Sequence, residues 1–413
     1  VNILIVTQYF HPEPFRVNDL VRGLRNRRHQ VTVLTGMPNY PEGRFYPGYG
    51  WLRPAGEDFE GARVIRVPLV SRGCARNWRL VLNYFSFAFF ACLLGPLRCR
   101  GPFDLIFVFA PSPITVGLPA LLLGAIKRAP VMLWIQDLWP ETLLAVGQRG
   151  FLSRVAAWVA NFVHRGCDML LVQSKAFTQP LVSRGIAPAR IRYLPNWAED
   201  FYKPTNADIV NDPLREFKGT RILFAGNLGT AQSFETIVEA AGLLRHRPDI
   251  HWIIVGDGVM RGWLEEQIRS CQLSATMTLL GRRPAEDMPA LFSHADALLV
   301  TLRRDPVFSM TIPSKIQSYL ASGTAIVGAL DGEGARIIEE SAAGLVAPAE
   351  DAQGLAQRVI QLSAMTAAER SAMGVRGRKY FDNHFNRDAL IDQMETWMQE
   401  LTETGHANTD PRR

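Results

Sequence analysis

TIPSKIQSYLASG, residues 311–323, carries the marks of a helix with an anion at its start. Pro313 reads as the first helical position, where its missing N–H costs nothing, and Gly323 closes the helix. Ser314 and Lys315 then fall in the first turn. A cation there is opposed by the helix dipole unless an anion sits on the exposed N–H groups. Arg303 and Arg304 follow the apolar run Ala297–Leu302 just upstream, and Ala325–Ala329 reads as the next strand. Two arginines at a strand end, a helix N-terminus and an adjacent lysine make a seat for a diphosphate. The plainer alternative is a solvated basic loop before an ordinary helix.

Outward from this stretch the same strand–loop–helix rhythm repeats. Arg221–Ala225 reads as a strand followed by GNLGTAQS, where Gly226 and Gly229 let backbone approach a ligand and Asn227 adds a polar group. Trp252–Val255 is a strand followed by Gly256-Asp257-Gly258, but Arg261 stands where a dinucleotide fingerprint wants its third glycine. Met277–Leu280 leads into GRRP, with Arg282 at the turn. In DGEGARIIEES, Glu333 and Gly334 open a helix that carries Glu339, a carboxylate able to accept from a ribose hydroxyl; for Glu339 and Glu340 the alternative is a solvated helix face. Helices are expected over 352–362 and 389–401, then a polar tail.

The N-terminal half has the same architecture. Ile3–Thr7 and Val31–Thr35 are short apolar runs suited to central parallel strands, with helical spacing through Val17, Leu20, Val21 and Leu24 between them. Ligands of such sheets bind beyond the strand C-termini, which points to His11, Glu13 and Arg16 in the first loop; the alternative is a proline-stiffened loop. No GxGxxG is present there, so a nicotinamide cofactor is disfavoured. The loop GMPNYPEGRFYPGYGW, with Asn39 and Tyr40, has a composition that suits sugar contacts; the alternative is an ordinary aromatic surface loop. Leu105–Phe109 and Val131–Ile135 are further strands. The second ends in QDLWPETL, placing Asp137 at a strand C-terminus and Glu141 just inside a helix opened by Pro140. Such carboxylates orient an acceptor hydroxyl or take its proton; otherwise they are a cap and a first-turn charge. Residues from Ile191 into NWAEDFYKPTNADIVNDP read as a linker.

A length of 413 residues, 47% apolar and 20% charged, indicates a globular protein of two or three domains. Residues 1–200 hold 23 Lys+Arg against 12 Asp+Glu, a balance of +11, whereas the remainder balances at −5. The basic half suits an anionic membrane surface or partner. Cysteines 74, 92, 99, 167 and 271 are scattered without a CxxC, which indicates reduced thiols in a cytoplasm rather than a structural zinc. Val1 leads directly into a strand, so no signal peptide is expected. No D-x-D run or His/Cys/Asp cluster with ligand spacing occurs, and neither metal nor cofactor is expected. Nucleic acid is not an expected partner.

Leu80–Leu97, LVLNYFSFAFFACLLGPL, is eighteen residues without a charge, at the lower edge of a membrane span. Arginines 72, 76, 79, 98 and 100 flank both ends. A true span would put strands of one sheet on opposite sides of a bilayer, so a helix in the membrane interface is the compatible reading. The alternative is a buried core helix.

The combination HPEPFRVNDLVRGL, TGMPNYPEGRFYPGY, WIQDLWPET, LPNW, FAGNLGTAQSFETI, VGDG, IPSKIQSYLASG and LDGEGARIIEESAAGLV resembles the family-4 retaining glycosyltransferases of GT-B fold. Within these it is similar to the N-acetyl-L-fucosaminyl- and fucosyltransferase-like enzymes of bacterial O-antigen, capsule and exopolysaccharide assembly. The resemblance runs from residue 2 to about 400. It implies an α/β chain of two Rossmann-like domains facing across a cleft: 1–200 for the acceptor, 201–385 for the donor, and 386–413 as a helix returning to the first domain plus a tail. It implies a UDP-sugar donor and a polyprenyl-diphosphate-linked acceptor at the cytoplasmic face of the inner membrane. Lys315, with Arg303, Arg304 and Ser314, would then neutralise the leaving diphosphate without a metal. Gly226, Asn227, Gly229 and Arg282 would line the donor pocket, with Glu333, Gly334 and Glu339 near ribose. Asp137 and Glu141 would serve the acceptor hydroxyl, and His11, Glu13, Arg16, Asn39 and Tyr40 the acceptor. Three departures stand out. The glutamates that many relatives carry eight positions apart fall on Met310 and Ser318, and the basic residue after the glycine loop is missing near Gly229. The N-terminal glycine loop of relatives is Pro14-Phe15-Arg16 here, which would turn Arg16 toward phosphate. Rival readings are a GT-B nucleotide-sugar epimerase, which needs no lipid acceptor, and a non-catalytic membrane-binding component of a polysaccharide assembly complex.

Overall fold

The computed structural model describes residues 1–50, 56–73, 77–142, 150–205 and 213–409. Trp51 of the aromatic loop, Cys74, Arg76, residues 206–212 of the expected linker and the last four residues of the tail lie outside these. The chain divides into two compact units, Val1–Leu194 with Asp388–Arg413, and Pro195–Arg387.

The first unit is built on eight strands: β1 (Asn2–Val6), β2 (Gln30–Gly36), β3 (Gly56–Phe59), β4 (Ala62–Val67), β5 (Leu105–Ala110), β6 (Val131–Ile135), β7 (Met169–Val172) and β8 (Ile191–Tyr193). Their order is β3-β4-β2-β1-β5-β6-β7-β8, parallel except for the β3–β4 hairpin at one edge. The central strands are continuous apolar runs because helices cover both faces of such a sheet. These helices are α1 (Val17–Asn26), α2 (Asn77–Arg98), α3 (Gly117–Lys127), α4 (Phe151–Gly166) and α5 (Thr178–Ser183). Strand order reverses between β1 and β5, so the loops after those strands flank the switch point where α/β sheets bind ligands. Ile191–Tyr193, read from sequence as the start of a linker, instead pairs with β7 as the edge strand, because Leu170–Val172 offers it an open row of backbone groups.

The second unit has six parallel strands: β9 (Thr220–Ala225), β10 (Ile250–Val255), β11 (Met277–Gly281), β12 (Ala297–Thr301), β13 (Ile326–Ala329) and β14 (Gly344–Ala347). Their order, β11-β10-β9-β12-β13-β14, is the doubly wound arrangement with its switch point between β9 and β12. The covering helices are α6 (Phe234–Leu243), α7 (Arg261–Ser270), α8 (Met288–His294), α9 (Pro306–Met310), α10 (Ser314–Ser322), α11 (Gly332–Glu340), α12 (Ala352–Ser363) and α13 (Ala367–His384). Two apolar clusters fill the opposite faces of the sheet.

α14 (Arg387–Thr409) packs on the first unit. Arg27 of α1 pairs with Asp392 at 2.6 Å and with Glu395 at 3.1 Å, and Ile391 fills the space that a side chain at Gly23 would need.

α2 is not a buried core helix: only 28% of its apolar window is covered. Nor do its ends lie on opposite sides of anything, since β5 after it pairs with β1 before it, Ile3 opposite Leu105.

Candidate functional site

In the second unit, the loops after β9, β10 and β11 are pressed together. Gly226 N–H donates to Val255 O and Gly256 N–H to Gly281 O, both at 2.9 Å, and Leu228 N–H reaches Asp257 O at 2.9 Å. A Cβ at Gly256 would sit 1.8 Å from Gly226 O, and one at Gly258 would sit 2.6 Å from Leu228 O. Both residues also have positive φ, so only glycine fits. The result is an exposed rim, with Gly226 and Asn227 at the surface, beside the switch point.

α10 points its first turn at this rim. Pro313 is the N-cap, with ψ 132°, rather than the first helical residue, so the helix begins at Ser314 and Lys315 is its second residue. Lacking an N–H, Pro313 offers the helix only its carbonyl, which accepts from Ile316 N–H at 2.9 Å. Lys315 lies against Gly226, where a Cβ would approach its Cε to 2.7 Å. Its Nζ rests 3.6 Å from the centre of the Phe224 ring and donates to Gln232 Oε1 at 2.7 Å. Among the described residues no carboxylate pairs with it. Burial therefore pulls its pKa well below the usual lysine value. A desolvated ammonium in the first turn of a helix, opposed by the dipole and held by a neutral amide, is a cation in want of an anion. Gly334 brings the start of α11 alongside, since a Cβ there would meet Ile316 at 3.1 Å and Pro313 at 3.3 Å.

The other expected donor residues are less available. Arg303 donates to Glu235 at 2.6 Å, and Arg304 donates to Ala349 O at 2.6 Å with Asp331 at 3.6 Å. These arginines are therefore not free cations; Glu235 pairs with Arg303, and Asp331 lies near Arg304. Glu333 forms a two-point pair with Arg336, and Glu340 also binds Arg336. Glu339 is exposed on α11, Arg282 and Ser314 are exposed, and Gly229 is half-buried beside Asn227 Nδ2. At the positions of the absent glutamates, Met310 ends α9 and Ser318 donates to Ser314 O at 3.3 Å. Gln232, which holds Lys315, was not singled out by sequence; its place in GNLGTAQS was the available signal.

In the first unit, Asp137 follows β6. Its Oδ2 accepts from Ser112 Oγ at 2.9 Å, and Ser112 in turn accepts from Trp139 Nε1 at 3.1 Å. No cation pairs with Asp137 among the described residues, and burial raises its pKa to about 6, with the Ser112 bond pulling the other way. Close by, Tyr9, Phe15 and Tyr40 form an aromatic nest: Tyr9 stacks on Phe15 at 4.9 Å, and Phe15 meets Tyr40 at 5.2 Å. The Arg72 guanidinium lies 5.1 Å from the Tyr40 ring centre and donates to Tyr9 Oη at 3.1 Å. Arg72 has no carboxylate partner among the described residues. Burial raises the pKa of Tyr84 of α2, with the charges of Arg72 and Asp137 acting on it in opposite senses. Sequence reading noticed Arg72 only as a flanking charge and passed over Tyr9 and Tyr84.

Three expected acceptor residues prove to be internal fasteners. Glu13 is fully buried and accepts from the amides of Asn39 and Tyr40 at 2.8 and 2.7 Å and of Phe10 at 3.1 Å. Burial outweighs those amides and raises its pKa to about 7. Its oxygens join the first loop to the next. Buried Asn39 accepts from Arg72 N–H at 3.1 Å and from Asn83 at 3.3 Å, fixing Arg72 in place. Glu141 is taken up in an ion pair with Arg184, which also holds Trp139 O at 2.7 Å; a second free carboxylate beside Asp137 is thus not formed. His11 is exposed, packs on Phe59 at 4.9 Å and has its pKa lowered by burial and by Arg66. Arg16 occupies the N-cap of α1.

Residues 15–197 match the family model of the glycosyl transferase 4-like domain, and residues 219–365 match that of glycosyl transferases group 1. This chain is a group 1 glycosyltransferase of GT-B fold. A protein of Escherichia coli K12 named for colanic acid biosynthesis, the glycosyl transferase WcaI, is 28% identical over 74% of this chain and 76% of its own. Sucrose-phosphate synthase from Thermosynechococcus elongatus superposes with a TM-score of 0.73 at 16% identity, over 98% of this chain and 99% of that one. HepE of Anabaena, solved in complex with UDP-glucose, superposes with a TM-score of 0.68 at 16% identity, over 97% of this chain and 100% of its own.

Proposed function

We propose that this glycosyltransferase moves N-acetyl-L-fucosamine or a related amino or deoxy sugar from a UDP donor to a polyprenyl-diphosphate-linked saccharide in exopolysaccharide assembly. It would work at the cytoplasmic face of the inner membrane, with α2 lying in the interface. The observation that carries the donor half is Lys315, an ammonium enclosed beside the glycine rim with no carboxylate partner among the described residues. A diphosphate there would complete the pair, cover the free N–H groups of the first turn of α10 and stabilise the charge that develops as the leaving group departs. HepE with UDP-glucose supports a UDP-sugar donor, and the naming of WcaI supports a polysaccharide product.

Retention follows if the acceptor hydroxyl attacks from the face that the diphosphate leaves. Asp137, unpaired by any cation among the described residues and with a pKa near 6, suits the role of holding that hydroxyl and accepting its proton at neutral pH. Arg72 in its aromatic nest would take an anionic group of the acceptor. The first test is thermal stabilisation by a panel of UDP- and GDP-sugars. A ligand at a hundred times its Kd adds about 2.7 kcal/mol. Stabilisation by GDP-sugars alone would refute the uridine assignment, and none by any nucleotide sugar would refute the donor site.

A further inference from the structure

The end of α2 forms a basic pocket that the donor and acceptor sites do not use. It has a volume of about 230 Å³ and is lined by Gly56, Arg63, Ile65, Leu97, Arg98 and Arg100. None of its three arginines has a carboxylate partner among the described residues. Arg98 donates to Arg66 O at 2.8 Å and Arg100 to Leu97 O at 3.3 Å, both carbonyls. On the adjoining strand β3, Glu57 is taken by Arg66, and Asp58, directly across the ladder from Arg63, accepts from the Gly61 amide at 3.0 Å and forms no ion pair among the described residues. Lys127 lies alongside, donating to Gly101 O at 3.1 Å, one residue past Arg100. A cation at a helix C-terminus complements the dipole. That accounts for Arg98 but not for Arg63 on β4 or for Arg100 beyond the helix.

Leu97 lines the pocket and also ends an exposed apolar stripe along α2: Trp78, Leu82, Phe85, Phe89, Leu93 and Leu97, the last two 55% and 67% exposed. Neighbouring helices carry the same character, with Ile126 exposed on α3 and the stacked pair Trp158 and Phe162 exposed on α4. None of the three helices contains an acidic residue, whereas Arg79, Arg98, Lys127, Arg154 and Arg165 lie on them. Apolar side chains bordered only by cations match one occupant, an anionic bilayer surface. We propose that the pocket seats the phosphate of an anionic phospholipid headgroup, and so makes attachment selective for anionic lipid. This rests on the membrane reading above.

The test is co-sedimentation of the full chain with phosphatidylcholine vesicles, with and without phosphatidylglycerol. Each basic residue at such a surface is worth roughly fivefold in partitioning, so Arg63→Gln with Arg100→Gln should weaken binding to the mixed vesicles roughly thirtyfold. Arg98 is kept because it also holds Arg66. Arg245→Gln with Arg358→Gln, exposed on the second unit, makes the same change in net charge and should have little effect; Phe89→Ser with Leu93→Ser should release the protein from both vesicles. Circular dichroism checks that each variant is folded. Equal binding of the wild type to both vesicles, or equal loss in the two arginine pairs, would overturn the seat and leave the membrane reading standing. Sedimentation with neither vesicle would overturn both. Displacement by millimolar inorganic phosphate at constant ionic strength would assign the pocket to free phosphate and overturn the lipid.

Discussion

Replacing Lys315 with methionine separates a binding role from a structural one. In the free protein the ammonium has one hydrogen bond to Gln232 and the face of Phe224, and burial disfavours its charge. The bond contributes about 1 kcal/mol and the ring about 1 kcal/mol. Removing an uncompensated buried charge offsets much of that. Lys315→Met should therefore change stability by no more than about 1 kcal/mol, roughly 2–4 °C in a unit of this size. With a diphosphate bound the balance reverses. A desolvated charge pair that loses one partner costs about 2–5 kcal/mol, so UDP should bind roughly thirtyfold to several-thousandfold more weakly. Calorimetric titration with UDP and a thermal melt without ligand measure the two quantities. The pH dependence carries a sign of its own. The lysine pKa is depressed in the folded protein, so the unfolded chain holds the extra proton. Stability from this group falls as pH drops from the usual lysine value through the depressed one. A diphosphate restores the proton, so wild-type UDP affinity should decline as pH rises past the depressed pKa, and the methionine variant should lack that decline. UDP binding unchanged in Lys315→Met, or a large loss of melting temperature without ligand, would refute the reasoning.

Asp137→Asn should lower sugar transfer roughly 10²–10⁴-fold while UDP affinity stays the same. Because burial raises this carboxyl to about 6, wild-type activity should fall as pH drops through about 6, and Ser112→Ala should move that limb to higher pH. The raised pKa also means that Asp137 detracts from stability above pH 6, so Asp137→Asn should melt no lower than wild type at neutral pH. Arg72→Met should raise the acceptor KM with little change for the donor, and Arg72→Lys should rescue poorly, since a planar guanidinium fills the Tyr9–Tyr40 nest. Glu141→Gln should cost about 1–3 kcal/mol of stability by stranding the partly buried Arg184, and a double-mutant cycle with Arg184→Met should recover coupling in melting experiments without a matching loss of turnover.

The sequence by itself determined the repeating strand–helix units, because a strand buried on both faces must be a continuous apolar run and its helix must show one apolar side. Val131–Ile135 was legible to the residue for that reason. It also showed the glycines and Lys315 of the donor rim, since tight turns and an unfavourable first-turn cation are local events. The edge strands β3, β8 and β14 and helix α13 were not apparent, because edge strands are short and half-exposed and α13 has no clear apolar face. Tertiary structure alone decided which charges were spent within the fold. Arg303, Glu13 and Glu141 look as available in sequence as Lys315, Arg72 and Asp137. Their partners are Glu235, the amides of residues 10, 39 and 40, and Arg184, as many as 68 positions away along the chain. Whether a charge is neutralised depends on what folding brings within about 3 Å of it, and no local pattern encodes that.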